Sequence, residues 1–481
     1  MRGFQCGEHR PGAAAGVRLP VDGCLMNLLR KHWEDLRSSL WFVPTLIVVG
    51  AVVLAVVLIE VDSPDSLGQL AERWPRLFGA GAEGSRGLLS TIAGSMITVA
   101  GVTFSITVVA LTLASSQYTS RILRNFMRDR ANQAVLGVFL GVFAYCLVVL
   151  RTIRSGDEGA FVPGLAVFFA VLLAFVGIGF LTFFIHHIAA SLQATTIIES
   201  VATETLEAVD RLYPDQIGEA AVGTAGEEPE GALASLTWAT IPARETGYIQ
   251  GIDADALFNL ASEQGVVVRM EKGIGEFVIE ACPLASVSGK PLDDETIRNL
   301  HAACSVGRHR TVHHDASYGI QLIVDVALKA LSPGINDTTT AINCVDYLAS
   351  ILARLAARRI ESPCRSEGGQ LRVISRGPTF PVLLAGAFDQ IRQNAKGNVA
   401  VLTRLHQVLA TVAGQTSDEQ RRNELRQQAV LVAETAERSV PSAHDRATIQ
   451  AAQAGYAEPG ASPDRGSSWF TGSSSPNRRG R

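Results

Sequence analysis

The sequence predicts a membrane protein with four transmembrane α-helices, followed by a cytoplasmic α+β domain whose C-terminal part is mainly helical. Four apolar segments lie before residue 188, and crossing a bilayer takes about 20 apolar residues. Charged residues make up only 18% of the chain, below the roughly 25% of soluble proteins. Beyond residue 189, short strand-like and helical patterns alternate, as in an α+β domain.

These patterns divide the chain into four regions. Residues 1–25 lack the apolar core of a signal peptide and are expected to be disordered. The sequence leaves open whether translation starts at Met1 or at Met26. The transmembrane domain covers 26–188 and the cytoplasmic domain 189–440. A tail at 441–481, rich in Ser, Gly, Pro and Arg, is predicted to be disordered.

Apolar composition places the transmembrane helices at about 41–59, 88–113, 134–150 and 161–185. Soluble domains do not usually hold four such runs within 150 residues, which argues against buried soluble helices. Gly137 and Gly141, four residues apart in the third segment, predict close packing against another helix.

The orientation follows from Lys and Arg near the helix ends. The flank before the first helix and the loop after the second carry seven, against five on the other side. Positive residues favour the cytoplasmic side, so both termini are predicted to be cytoplasmic. The seven cysteines are scattered without a CxxC pair, which indicates free thiols in a reducing compartment.

The cytoplasmic domain is predicted element by element. Asp253, Asp315 and either Asn336 or Asp337 are suited to cap helices. A surface loop is expected at 214–240. The predicted helices are 189–212, 253–264, 293–305, 315–331, 338–359 and two or three more within 380–440. The predicted strands are 247–251, 266–271, 276–282 and 371–375.

Two long motifs resemble a known family. They are SMITVAGVTFSITVVALTLASSQYTSRILRNFMRDRANQAVLGVFLGVFAYCLVVLRTIR and GRHRTVHHDASYGIQLIVDVALKALSPGINDTTTAINCVDYL. Together they make about residues 26–440 similar to the uncharacterised bacterial membrane family called domain of unknown function 2254. The resemblance implies a multi-pass protein of the bacterial inner (plasma) membrane, and it brings no established biochemical activity. His314 and Thr338 stand where the family usually has Gln and Pro.

The second apolar segment carries an unusual number of small polar residues. One line holds hydroxyls at every seventh residue, with Ser95 beside it, and a second line holds glycines at the same interval. The hydroxyls are Thr91, Thr98, Ser105 and Thr112, and the glycines are Gly87, Gly94 and Gly101. Residues seven apart share one helix face. The stripe is therefore either a packing face or the wall of a pore.

Two basic clusters are candidate binding sites. Arg121, Arg124, Arg128 and Arg130 follow the second segment and either contact lipid head groups or form a cytoplasmic pore mouth. A polar pocket for a small anion or nucleotide is predicted from a second group: Arg308, Arg310, His314, Asp315, Asn336 and Asp337. A purely structural loop is the alternative. A metal site is not expected, since no second ligand cluster is seen.

The function predicted from the sequence is that of an inner-membrane homo-oligomer, channel-like, with the second helix at its centre. The alternative is a membrane-anchored sensor or scaffold whose cytoplasmic domain binds a small anion or a protein. No ionisable residue lies between 88 and 113, which disfavours coupled transport. No catalytic motif is present, and neither enzymatic activity nor a cofactor is expected. The net charge of −4 argues against nucleic-acid binding.

Overall fold

The computed structural model describes residues 41–61, 81–117, 129–154, 161–191, 193–213, 236–289, 292–358, 364–367 and 370–454. The described chain divides near Ala190 into two compact units, which we call the N-terminal and C-terminal units. The predicted disorder of 1–25 lies outside these residues, as does most of the predicted loop at 214–240.

The N-terminal unit consists of long helices that match the four apolar segments. They are α1 (Phe42–Val61), α2 (Ala82–Gln117), α3 (Arg130–Thr152) and α4 (Gly164–Ser191). All four are long and apolar enough to cross a membrane. α3 begins earlier than hydropathy indicates because Asp129 caps it, accepting a hydrogen bond from the Ala131 amide at 2.9 Å.

α1 and α3 approach each other closely through glycine. A Cβ on Gly137 would lie 2.8 Å from Ile47 Cδ1 and 2.9 Å from the Pro44 Cα. A Cβ on Gly141 would lie 3.3 Å from the Ala51 Cβ. The close packing predicted from these two glycines is confirmed, because a larger side chain at Gly137 would collide with the backbone of α1.

The C-terminal unit begins with a helix and ends with a helical bundle. Its helices are α5 (Ala194–Leu212), α6 (Ala254–Gln264), α7 (Asp294–Ala302), α8 (Ala316–Ala330), α9 (Thr338–Ala357), α10 (Phe380–Asn394), α11 (Val399–Gly414), α12 (Glu419–Ser439) and α13 (Ala443–Ala454). α9 is also long and apolar enough to span a membrane, so five described helices meet that criterion.

The C-terminal unit also contains two small sheets, whose strands lie between α5 and α10 in the sequence. The strands are β1 (Trp238–Pro242), β2 (Gly247–Ile252), β3 (Val268–Met270), β4 (Phe277–Val278), β5 (Pro283–Ser288), β6 (Cys304–Gly307), β7 (Cys364–Glu367) and β8 (Gln370–Ile374). One sheet has the order β1-β5-β3-β8-β7, with only β3 and β8 parallel, and the other has the order β4-β2-β6. Apolar side chains from both sheets and from α6 form one core.

Several predicted elements need correction. The predicted helix at 189–212 is interrupted, because Gln193 has an extended backbone between α4 and α5. The predicted strand at 276–282 is two residues long, and Ala281, with φ of 65°, turns the chain into β5. β1, β5, β6 and β7 had no counterpart among the predicted strands, and β6 begins inside the predicted helix at 293–305. The predicted disorder from 441 is wrong for α13, whose Ile449 is buried.

The predicted caps and thiols agree with the structure. Asp253, Asp315 and Asp337 each accept a hydrogen bond from a backbone amide in the first turn of their helices. Asn336, the alternative cap, instead adopts φ of 50° in the turn before α9. The five cysteines within the described residues are all free.

Candidate functional site

The glycine and hydroxyl lines of α2 form one continuous seam. Gly87, Thr91, Gly94, Thr98, Gly101, Ser105 and Thr112 follow one another at alternating intervals of four and three, with one step of seven at the end. All seven are exposed, and so is Ser95 to one side. We call these seven residues the glycine–hydroxyl seam. Four-and-three spacing is the repeat by which one helix packs against another along its length.

The opposite face of α2 packs within the chain. Its buried residues are Ser85, Leu89, Ala93, Met96, Ala100, Thr103 and Ala110. A Cβ on Gly177 of α4 would lie 3.1 Å from the Met96 sulfur. The Arg86 guanidinium donates a 2.7 Å hydrogen bond to the Ile153 carbonyl at the end of α3. These contacts fix the rotation of α2 and leave the seam on the outside of the unit.

The three threonine hydroxyls of the seam donate to the backbone of their own helix. Thr91 and Thr98 donate to the carbonyls of Gly87 and Gly94 at 2.8 Å, and Thr112 donates to Val108 at 2.9 Å. Such bonds satisfy each hydroxyl proton without water. At these three positions the seam can therefore contact another helix in a bilayer without leaving an unsatisfied donor.

The seam glycines leave a flat surface. A Cβ on Gly87, Gly94 or Gly101 would meet no described atom within 4 Å. Gly137 of α3 differs, since its missing side chain makes room for α1. The packing role predicted for the α2 glycines is therefore not fulfilled among the described residues of this chain.

The arginine cluster after α2 is only partly described. Arg121, Arg124 and Arg128 lie outside the described residues, and Arg130 is the first residue of α3. Beside it, Asp129 contacts His187 of α4 at 2.5 Å between Oδ2 and Nε2. The His187 ring stacks on Phe183 with 5.5 Å between centroids. This pair joins the first turn of α3 to the last turns of α4.

Part of the predicted anion site is an internal ion pair. The Arg310 guanidinium donates to Asp315 Oδ2 at 2.7–2.8 Å and to the Ser317 hydroxyl at 2.9 Å. Asp315 is 6% exposed and also accepts from the Ser317 hydroxyl and the Tyr318 amide. Gly275, with φ of +84°, lies so close that its Cβ would be 2.2 Å from Asp315 Oδ2. Arg310 and Asp315 hold the loop in place.

The six predicted residues do not form one group. Arg308 and His314 are exposed positions of the same loop as Arg310. Asn336 and Asp337 follow the far end of α8, which has 15 residues and is therefore about 22 Å long. Hydrogen bonds from the Thr340 hydroxyl and amide hold the pKa of Asp337 below its usual value, as expected of a helix cap. The prediction of one pocket from these six residues is thus corrected.

The histidines of the basic loop also have structural contacts. His313 contacts Arg211 of α5, whose guanidinium donates to the His313 carbonyl at 2.9 Å. The His309 carbonyl accepts from Gln250 at 2.7 Å. Within the described ranges, no group of three or more His, Cys, Asp or Glu side chains could hold a metal ion.

The sequence did not point to a cavity of about 420 Å³ in the N-terminal unit. The first turns of α1, the second half of α2 and the first turns of α3 enclose it. Its lining residues are Trp41, Pro44, Thr45, Val48, Thr103, Phe104, Thr107, Val108, Leu111, Asn132, Gln133, Leu136 and Leu140. The available signal was the polar pair Asn132-Gln133 directly before an apolar run.

Comparison with known proteins identifies the family. The family model described as "Predicted membrane protein (DUF2254)" matches residues 37–411. Uncharacterised proteins of Mycobacterium bovis and Mycobacterium tuberculosis are 33% identical over 443 residues, which cover 89% of this chain and 82% of each relative. No solved structure matches the chain. With its several apolar helices, the chain belongs to the DUF2254 family of membrane proteins.

Proposed function

We propose that the protein is a four-span protein of the bacterial inner membrane, with cytoplasmic termini, whose copies associate through the glycine–hydroxyl seam. One observation carries this proposal. The seam of α2 is made of small residues and exposed along its length, while the opposite face is packed within the chain. Small residues at such spacing let helices approach closely in a bilayer, where apolar burial gives no driving force.

Four spans rather than five are proposed because α9 carries the contacts of a soluble helix. Its Asp346 pairs with Arg404 of α11 at 2.5 Å. Its Arg354 donates two hydrogen bonds, of 2.8 and 2.9 Å, to the Asp210 carboxylate of α5. Charged pairs on two sides of a helix are costly in hydrocarbon. Four spans then place both ends of the chain on one side, and the arginine distribution favours the cytoplasm.

An oligomer in which the α2 helices of several copies surround a central axis would also support the channel-like function. The hydroxyl oxygens of Thr98 and Ser105 would then lie near the axis and offer lone pairs to water or an ion. The proposed sensor function is less well supported, because Arg310, the centre of its predicted ligand site, is bonded to Asp315 and Ser317.

The oligomer test replaces one seam glycine. Gly101→Leu introduces a bulky side chain where no described atom of the chain lies within 4 Å. The fold should therefore persist while association is lost. Subunit counting by single-molecule photobleaching in native-lipid nanodiscs should show several copies for the wild type and mainly one for Gly101→Leu.

The matched control is Gly50→Leu in α1. Gly50 is also exposed and also has no described atom within 4 Å of its Cβ position. This variant should keep the wild-type copy number. A monomeric wild type, or equal copy numbers for wild type and Gly101→Leu, would refute association through the seam.

A further inference from the structure

We propose that the cavity at the starts of α1 and α3 binds an acyl ester of a membrane lipid, with the ester carbonyl at Asn132 and Thr103 and the hydrocarbon chain in the apolar part. This inference goes beyond the association of copies and does not depend on it.

The shape and lining of the cavity suit a hydrocarbon chain. At about 420 Å³ it falls within the range of small-molecule sites, roughly 300–1,000 Å³. Leu111, Leu136 and Leu140 are among its apolar walls. Phe104 and Val108 also line it and are 58% and 44% exposed, so the cavity borders the outer surface of the helix unit. A chain could enter from the bilayer.

Two residues that line the cavity also hold buried polar atoms that lack partners within the described ranges. The Asn132 side chain belongs to a residue only 6% exposed, and neither its Nδ2 nor its Oδ1 makes a hydrogen bond there. The same holds for the hydroxyl of Thr103, which is 2% exposed. Buried polar groups are nearly always hydrogen-bonded, and hydrocarbon supplies no water to bond them. A bound acceptor would satisfy the two donors, Asn132 Nδ2 and the Thr103 hydroxyl, when these side chains rotate toward the cavity.

The polar atoms indicate what that group is. The Asn132 amide and the Thr103 hydroxyl are both donors, and a carbonyl oxygen can accept from both. The apolar walls require a hydrocarbon body attached to that carbonyl. Lipid esters, fatty acids and quinones share this chemistry. The lipid ester is favoured because Asn132 lies in the first turn of α3 and Trp41 directly precedes α1. Helix starts of this kind lie near the membrane interface, where lipid ester groups are found.

The test uses a phosphatidylcholine with a diazirine in one acyl chain. The full-length protein is reconstituted in phosphatidylethanolamine–phosphatidylglycerol vesicles containing a small fraction of this probe, and labelled peptides are mapped by mass spectrometry after illumination. The wild type should be labelled preferentially on the peptides at 103–111 and 132–140. Asn132→Leu should reduce this labelling about tenfold, as expected for losing about 1.4 kcal/mol of binding free energy.

Thr103→Val, which nearly preserves shape, provides a second variant should Asn132→Leu fail to fold, and it should also reduce labelling. Thr182→Val is the control. It removes an exposed α4 hydroxyl that belongs neither to the seam nor to the cavity lining, and labelling should stay at the wild-type level. Equal labelling of every apolar helix, or wild-type labelling in Thr103→Val, would overturn the proposal. Displacement of the probe by a soluble quinone, but not by an excess of unlabelled lipid, would assign the cavity to a quinone instead and also overturn it.

Discussion

Arg310→Ala should destabilise the C-terminal unit by about 3 kcal/mol, the low end of the range for breaking a buried ion pair. The Asp315 carboxylate, only 6% exposed, would lose its guanidinium partner. Asp315 also caps α8, so the change should loosen the start of that helix. If the loop were instead an open anion site, removing Arg310 would leave the fold intact.

Hydrogen–deuterium exchange on the full-length protein in detergent measures this effect. Amides in the first turns of α8 should exchange faster in Arg310→Ala than in the wild type. Arg308→Ala is the matched control, since Arg308 lies in the same loop and is exposed; its exchange should equal that of the wild type. Unchanged α8 protection in Arg310→Ala would contradict the structural role of the pair.

The helical bundle should lose stability in acid because of His406. This side chain of α11 is fully buried, and within the described ranges neither ring nitrogen makes a hydrogen bond. Burial lowers its pKa from the usual 6.5 to about 4, because the charged form is poorly solvated inside the protein. Between these values the unfolded state binds more protons than the folded state. Stability is therefore complete above pH 6.5 and falls, by up to about 3 kcal/mol, as the pH approaches 4.

Hydrogen–deuterium exchange of the α11 amides tests this acid sensitivity. The variants and the wild type are compared at the same pH, from pH 4 to 7.5. His406→Leu should keep its protection at low pH, whereas the wild type should lose it. His444→Leu serves as the control because His444 is exposed, and this variant should follow the wild type. The same acid sensitivity in His406→Leu would show that another group is responsible.

Local signals in the sequence predicted much of the fold. Hydropathy located α1 to α4, and single carboxylates before apolar runs located the starts of α6, α8 and α9. Both kinds of signal depend on residues close together in the chain. β1, β5, β6 and β7 were missed because they are only four to six residues long. β1, β5 and β6 are stabilised by pairing with strands elsewhere in the sequence.

The candidate sites show the same limit. The seven-residue repeat of α2 located the seam, because a helix face follows from sequence spacing alone. The pocket predicted from Arg310 and Asp337 failed because a whole helix, α8, separates them. The polar pair Asn132-Gln133 does not predict the cavity by itself, since three helices that are distant in sequence build it.

Cysteine cross-linking in native membranes tests the association of copies through α2 most directly. In a background without the native cysteines, Ser105→Cys places a thiol on the seam, and Ile106→Cys places one on an exposed position about 100° around the helix. With an oxidant, Ser105→Cys should form disulfide-linked dimers and Ile106→Cys should remain monomeric. Efficient dimer formation by Ile106→Cys with none by Ser105→Cys would contradict the account.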